Sequence, residues 1–166
     1  MNSIGQVTNV MISYYSGDVR RINHFLKVYG FAKTIGELEG LDDNTQEILE
    51  IAALTHDIGI KNSEKKYNSS TGDYQQIEGP PEAKELLEVL GFNPNIIERV
   101  CFLISHHHTY TNIQGIDYQI LVEADFLVNA FEDNVSKTTI ESFKNKVFQT
   151  NAGIKILNNV YESYEN

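Results

Sequence analysis

The end of one helical run carries most of the information about fold and chemistry. Residues 52–59 read Ala-Ala-Leu-Thr-His-Asp-Ile-Gly, so an imidazole and a carboxylate directly follow an apolar segment. Successive helical residues point about 100° apart, so His56 and Asp57 can face one cavity only near a helix end or a local distortion. Gly59 supplies such an end. Both side chains are ordinary ligands of first-row metals.

The remainder of the chain also has helical periodicity, interrupted by Gly and Pro. We therefore predict an all-α fold, a single compact bundle of about six to eight helices. Residues 62–79 are polar and rich in turn residues, and we predict that they form a long loop beside the substrate pocket. The other predicted helices cover residues 4–15, 18–36, 80–90, 96–105, 117–132, 136–149 and 151–164.

Composition limits the class of protein. The chain has 166 residues, 41% of them apolar, which is enough for a sizeable core in one domain. Cys101 is the only cysteine, which excludes an intramolecular disulfide and a cysteine-based zinc site and favours a reducing, cytoplasmic location. No apolar run has the ~18 residues of a membrane span, and residues 1–17 lack the features of a signal peptide. We expect the mature protein to be the whole chain.

Charge limits the partners. Lys and Arg number 13 against 23 Asp and Glu, a formal charge of −10. Such a field repels a phosphate backbone, so we expect no nucleic-acid polymer as partner, and no membrane. A small phosphorylated substrate would need a local cation, and a bound metal would provide one.

Asp125 is an unusual carboxylate because it lies inside the apolar run 119–128. An isolated buried carboxylate costs several kcal/mol unless a backbone donor, a lysine or a metal compensates it. The histidines of the chain are confined to three places, namely His24, His56 and residues 106–108. A bundle that joins His24, His56, Asp57 and Asp125 would offer two nitrogens and two oxygens to a hydrolytic metal.

Each histidine signal also has an ordinary structural explanation. His24 alone fits a half-buried helix residue, His56 fits a hydrogen bond at a helix end, and residues 106–108 fit a solvated helix end. A metal-free bundle with satisfied core histidines would leave Asp125 unexplained. The joint occurrence of these residues in one order favours a metal site.

That order, His…His-Asp…His-His…Asp, resembles the HD-domain metal-dependent phosphohydrolase superfamily. Residues 22–32 resemble its first helix, residues 55–59 its name-giving motif, residues 78–87 its Gly-Ala helix, residues 104–107 its later histidine-bearing helix, and residues 123–127 its closing Asp motif. The resemblance implies a helical bundle of the HD type: one HD domain over 1–166, with a metal-binding core at about 18–133 and C-terminal helices at about 136–164. It also implies the metal ligands His24, His56, Asp57 and Asp125.

One departure from the family pattern concerns the number of metals. Members with two metals often have a further histidine just before the Gly-Ala helix, where this chain has Gln75 and Gln76, and amides are poorer ligands for transition metals. We expect one divalent ion per chain, Mn, Fe, Co, Ni, Zn or Mg, with a second, weaker site left open at His106 and His107. The resemblance gives His107 a role toward phosphate or this second metal.

The leading hypothesis is hydrolysis of a phosphomonoester or phosphodiester, with a nucleotide among the candidate substrates. Asp57 would bind metal through one oxygen and orient the attacking water through the other, as general base. Lys61, His107 and Arg21 are candidates to face the phosphoryl oxygens. If the helix from residue 96 continues to His107, this side chain points inward and its two neighbours lie at the flank.

The alternative hypothesis is a metal-binding regulatory or interaction module of the same fold without catalysis. The missing histidine at Gln75 and Gln76 favours it, as do the two C-terminal amphipathic segments, whose faces could bind a partner. Assembly into a homo-oligomer is left open by the sequence.

Overall fold

The computed structural model describes residues 3–164, and within this range the regular elements are all α-helices. This confirms the all-α prediction, although the described range contains nine helices instead of six to eight. They are α1 Ile4–Tyr14, α2 Val19–Glu39, α3 Asp43–Thr55, α4 Ile60–Tyr67, α5 Gly72–Val89, α6 Pro94–His106, α7 Ile116–Glu132, α8 Lys137–Val147 and α9 Asn151–Tyr161.

The additional helix lies where the sequence predicted a long loop, so the loop prediction for 62–79 is wrong. Helix α4 ends at Tyr67, its C-cap Asn68 adopts the left-handed conformation, and α5 begins at Gly72 instead of Pro80. The buried positions of the first turns of α5 are Gln75, Glu78 and Gly79. Their spacing is helical, but none is apolar, so a hydrophobic periodicity does not reveal the helix.

Contacts between α4 and α5 explain why these polar residues are buried. The carboxylate of Glu78 accepts hydrogen bonds from Lys66 Nζ at 2.7 Å and from the hydroxyl of Tyr67 at 2.9 Å. Pro80 and Pro81 lie inside α5. A proline inside a helix costs about 3 kcal/mol, and packing of α5 along α6 offsets this cost.

Helices α2, α3 and α7 pack against one another, α6 packs on α3 and α5, α1 covers α3, and α9 contacts α2 and α7. One hydrophobic cluster draws buried residues from α1 to α3 and from α5 to α9. Helix α7 is buried on almost every side, from Asp117 to Ala130. That the whole chain, 1–166, forms one domain stays a prediction.

Two glycines let α5 approach the turn that carries the His-Asp pair. A Cβ on Gly59 would lie 2.6 Å from the backbone nitrogen of Gly79, and a Cβ on Gly79 would lie 2.5 Å from a methyl of Ile104. A side chain on Gly59 would push α5 away from the turn after α3, and a side chain on Gly79 would push α5 away from α6. The glycines therefore fix the distance between the α3 turn and the end of α6, which both carry histidines.

The C-terminal helices are attached to α7 by a buried carboxylate. Glu123 is fully buried and accepts hydrogen bonds from the backbone nitrogens of Gln149 and Thr150 and from the Thr150 hydroxyl. Thr150 also caps α9. Within residues 3–164, no helix is both long enough and apolar enough to cross a membrane.

Candidate metal centre

Three helices bring the four predicted ligands together. His24 lies on α2, His56 and Asp57 follow α3, and Asp125 lies on α7. His24 Nε2 is 3.2 Å from His56 Nε2, from Asp57 Oδ2 and from Asp125 Oδ1. His56 Nε2 is 3.3 Å from Asp57 Oδ2 and 3.4 Å from Asp125 Oδ1. Two imidazole nitrogens and two carboxylate oxygens thus face one point.

Hydrogen bonds of the Nδ1 atoms fix the ring orientation of His24 and His56. His56 Nδ1 is 2.8 Å from the carbonyl oxygen of Ala53, and a carbonyl can only accept, so Nδ1 carries the hydrogen. His24 Nδ1 is 2.8 Å from a carboxylate oxygen of Glu132 and donates to it in the same way. In the neutral rings this leaves the Nε2 lone pairs directed at the centre, as a metal requires.

Charges within the centre are strongly coupled. Burial opposes a positive charge on His24, but hydrogen bonds to Asp125 and Asp57 outweigh it and raise its pKa to about 10. Burial also opposes a negative charge on Asp57, but the His56 charge and hydrogen bonds to His107, His24 and His56 hold its pKa well below the usual range. The carboxylates therefore favour positive charge at this point, and a bound metal ion would supply such a charge.

The donor set fits a divalent cation. Metal–ligand bonds of about 2.1 Å place neighbouring ligands about 3.0 to 3.4 Å apart in octahedral or tetrahedral geometry, which is the separation of the two histidine nitrogens from each other and from each carboxylate oxygen. Asp125 Oδ1 is buried and has no well-directed hydrogen bond, although two histidine nitrogens lie nearby. A metal ion between these side chains would explain why Asp125 Oδ1 lies close to two histidine nitrogens without a hydrogen bond to either. The ligands of one ion point at the ion and not at each other.

A second group of possible ligands shares Asp57. Atoms of Asp57, His107 and His108 lie within 4.8 Å of one another. His107 is fully buried, its Nδ1 is 2.7 Å from the carbonyl of Ile104, and its Nε2 lies 3.5 Å from Asp57 Oδ1 without a hydrogen-bond partner. The inward direction predicted for His107 from the helix phase is therefore correct.

The prediction of a second site at His106 and His107 is wrong for His106. Its ring stacks on Phe102 at 4.2 Å between centroids, and its Nδ1 contacts Ser105 Oγ and the carbonyl of Phe102. The chain leaves α6 after His106, so the next side chains turn toward the cavity and His106 stays on the helix surface. His108, and not His106, joins Asp57 and His107 in the second group of possible ligands.

Helix α5 holds His108 in the cavity wall. His108 Nε2 is 3.1 Å from Gln75 Oε1, and the Gln75 amide nitrogen donates to the carbonyl of Ser70 at 2.6 Å. Since that amide nitrogen is used, Oε1 must accept, so Nε2 of His108 carries the hydrogen and Nδ1 is free. A Cβ on Gly72 would lie 2.9 Å from the His108 ring, so only glycine leaves room for the imidazole. Burial and the charge of His107 lower the pKa of His108 to about 4.

The structure does not bring Lys61 to the centre, which corrects its assignment to the phosphate. Its ammonium donates to the carbonyl of Tyr14 at 3.1 Å and lies 4.7 Å from the centroid of the Tyr14 ring. Lys61 lies in the first turn of α4, and its side chain reaches the last residue of α1. Arg21 does line the cavity, but Asp18 and Glu64 bind its guanidinium at 2.7 and 2.5 Å.

The centre opens into a cavity of about 580 Å³. Among residues 3–164, five carboxylates line it, against two arginines, Arg20 and Arg21. Ser70 and Gln75 form part of the wall, so the segment predicted as a loop does border the cavity. A volume in this range suits a small organic ligand.

Sequence reasoning missed three residues of the site: Glu132, Gln75 and His108. Glu132 follows Asp125 by seven residues, two helical turns on the same face, and this spacing could have identified it. Gln75 and His108 depend on a turn and on a polar helix face, for which the sequence gives no periodic signal.

Comparison with known proteins agrees with this geometry. A family model described as the HD domain matches residues 21–142. The chain belongs to the HD-domain family. A crystal structure described as a predicted HD superfamily hydrolase from an uncultured Thermotogales bacterium is similar in fold, with a TM-score of 0.68 and 23% sequence identity over 95% of this chain and 84% of that chain. No curated protein matches this HD-domain chain.

Proposed function

We propose that this HD-domain protein is a metal-dependent phosphohydrolase that cleaves a phosphomonoester or phosphodiester of about nucleotide size. The observation that carries the proposal is the convergence of two histidine nitrogens and two carboxylate oxygens at the base of a cavity, with each oxygen 3.2 to 3.4 Å from both nitrogens. Family membership and the fold of the solved neighbour support the same chemistry.

The charge of the cavity supports the need for a cation. Five carboxylates against two arginines would repel a phosphate, and Arg21 is already paired with two acids. A divalent ion held by His24, His56, Asp57 and Asp125 would reverse this local charge. Bound there, it would supply Lewis-acid polarisation of a phosphoryl oxygen and a lower pKa for a water molecule.

Two side chains are suited to proton transfer. Asp57 directs Oδ2 toward the histidines of the centre and Oδ1 toward His107, so Oδ1 can accept a proton from an attacking water. His107 Nε2 has no hydrogen-bond partner although it is fully buried, so it is free to contact a phosphoryl oxygen. We assign Asp57 as general base and His107 as the group that stabilises charge on phosphate.

We propose one ion in the four-ligand group as the resident metal. Asp57, His107 and His108 could hold a second ion more weakly, because this group has three protein ligands and one of them is shared. Mn, Fe, Co, Ni, Zn and Mg remain the candidates. The partner is then a small phosphorylated molecule, and we propose neither a nucleic-acid polymer nor a membrane.

The experiment is elemental analysis of the purified protein, followed by phosphate release from a panel of nucleotides and simple phosphoesters. We expect about one equivalent of metal, and hydrolysis that a chelator abolishes and added metal restores. His56→Ala should lose both metal and activity, while His106→Ala, a matched histidine outside the cavity, should keep both. Metal without hydrolysis of any panel member would favour the regulatory module instead.

A further inference from the structure

The partner of His24 is a charged side chain at the end of α7. Glu132 Oε2 is 2.8 Å from His24 Nδ1, and Glu132 Oε1 is 2.8 Å from Lys27 Nζ. The Glu132 side chain is 13% exposed, and hydrogen bonds at both oxygens hold it in one orientation. Lys27 lies one turn after His24 on α2. Glu132 on α7 thus binds both His24 and Lys27 on α2, and these two contacts join the helices.

Glu132 differs in kind from the partners of the other two buried histidines. His56 and His107 donate from Nδ1 to the backbone carbonyls of Ala53 and Ile104. Those acceptors are neutral and belong to the same helical turn as the ring. Glu132 is anionic and comes from the helix that also supplies Asp125. A carboxylate on Nδ1–H makes the opposite nitrogen a stronger metal ligand and fixes the tautomer.

We propose that Glu132 is a positioning residue, held by Lys27, that fixes the His24 ring and strengthens its Nε2 as a ligand for the divalent cation. The inference rests on the proposed metal-dependent function. Glu132 also lines the cavity, and its carboxylate oxygens are both engaged in these two contacts, so the residue acts through His24 and not on the substrate.

The competing explanation is a salt bridge that only joins two helices. The chain offers a matched control, because Lys33 on α2 bonds Glu50 on α3 at 3.0 Å. Exposure is similar in the two pairs: the lysines are 46% and 42% exposed, and the glutamates 13% and 7%. Glu50 lies almost two turns before His56 and contacts none of the proposed ligands.

The experiment measures Co²⁺ binding to metal-free protein by calorimetry, together with the melting temperature without metal. We expect Glu132→Ala to weaken Co²⁺ binding about 10- to 100-fold, the range for loss of a residue that orients a ligand. Glu132→Gln should lose less, because its amide oxygen still accepts from Nδ1–H, and Lys27→Met should also lose less. Glu50→Gln and Lys33→Met should bind Co²⁺ within about 2-fold of the unchanged protein.

Nitrogen NMR of the Zn²⁺-loaded protein gives a second measurement. The His24 ring should bind Zn²⁺ through Nε2 and carry its hydrogen on Nδ1 in the Glu50→Gln protein, and it should lose this single arrangement in Glu132→Ala. If Glu132→Ala lowers the melting temperature but keeps Co²⁺ affinity and the His24 tautomer, the salt bridge is only structural and the proposal is overturned. A change confined to the Michaelis constant would overturn it too, as a sign of substrate contact. Failure of the unchanged protein to bind Co²⁺ would instead count against the proposed function.

Discussion

The two histidine groups on either side of Asp57 differ in how the protein holds them. His24 projects from α2 and His56 from the end of α3, and hydrogen bonds from the Nδ1 atoms to Glu132 and to the carbonyl of Ala53 fix both rings. On the other side, His107 is equally buried and fixed, but His108 lies in the turn after α6 and depends on Gln75. Packing of the core helices holds the group with His24 and His56, whereas the group with His107 and His108 also depends on the hydrogen bond between His108 and Gln75.

This difference gives an order of ligand strength. Helices α2, α3 and α7 pack against one another, so the first group is held in place before any ion binds. The second group requires α5 to stay against the end of α6. We therefore expect an ion to prefer the first group and the second group to act mainly on the substrate or on a weaker ion.

The largest effect should follow from Asp57→Asn, because Asp57 is common to both groups. The amide keeps the shape of the side chain but removes the charge and one acceptor, so metal affinity should fall more than about 10²-fold, beyond the loss typical of outer-shell partners. Turnover should fall at least as much, since the proposed general base is also lost. Elemental analysis and phosphate release test this. Retention of full metal content would show that the shared carboxylate is not a ligand.

The first histidine group could be predicted from sequence because burial and order both point to it. Asp125 stands in so apolar a helix that it needs a compensating partner, and the pair His56 and Asp57 stands where an apolar helix ends. Capping chemistry marks two further boundaries in the sequence, since Asp18 caps α2 and Pro94 stands at the start of α6. In each case the signal lies in the residue types themselves.

The wall formed by α4 and α5 could not be predicted in this way. The buried face of the first turns of α5 consists of Gln75, Glu78 and Gly79, whose burial follows from contacts with α4 and α6 and not from hydrophobicity. The two prolines also suggested a helix start, whereas tertiary packing places them inside α5. The sequence did not identify His108 as a site residue for a related reason. His108 lies in the turn after α6, where helical periodicity does not predict the direction of a side chain.

A sharper test of the second group is His107→Ala. Turnover should fall at least about 10²-fold, the range for losing a group that stabilises charge or transfers a proton. One equivalent of metal should remain, because the four ligands of the first group are intact. His106→Ala is the matched control and should keep turnover within about 2-fold. Loss of metal from the His107→Ala protein would place His107 in the resident site instead.

A smaller effect is expected for His108→Ala, about 10-fold in turnover. Its ring lines the cavity and its pKa of about 4 keeps it neutral, so it contributes a lone pair rather than a charge. Gln75→Ala should have a similar but weaker effect, because it frees the ring without removing it. Kinetics of both variants with one substrate decide the point, and a larger loss at Gln75 would show that the amide itself contacts the substrate.

The smallest effect should come from Lys61, whose position just after the His-Asp pair suggested a role toward phosphate. Its ammonium is exposed and is engaged by the carbonyl and the ring of Tyr14, on the far side of the turn. Lys61→Met keeps the aliphatic stem, so it should change turnover less than about 2-fold and cost only about 0.5–1 kcal/mol of stability from the lost cation–π contact. Turnover and thermal unfolding measure the two effects separately. A loss of turnover near that of His107→Ala, at unchanged stability, would contradict this prediction. It would mean that Lys61 leaves Tyr14 to contact the substrate, so that α4 also contributes a residue to the reaction.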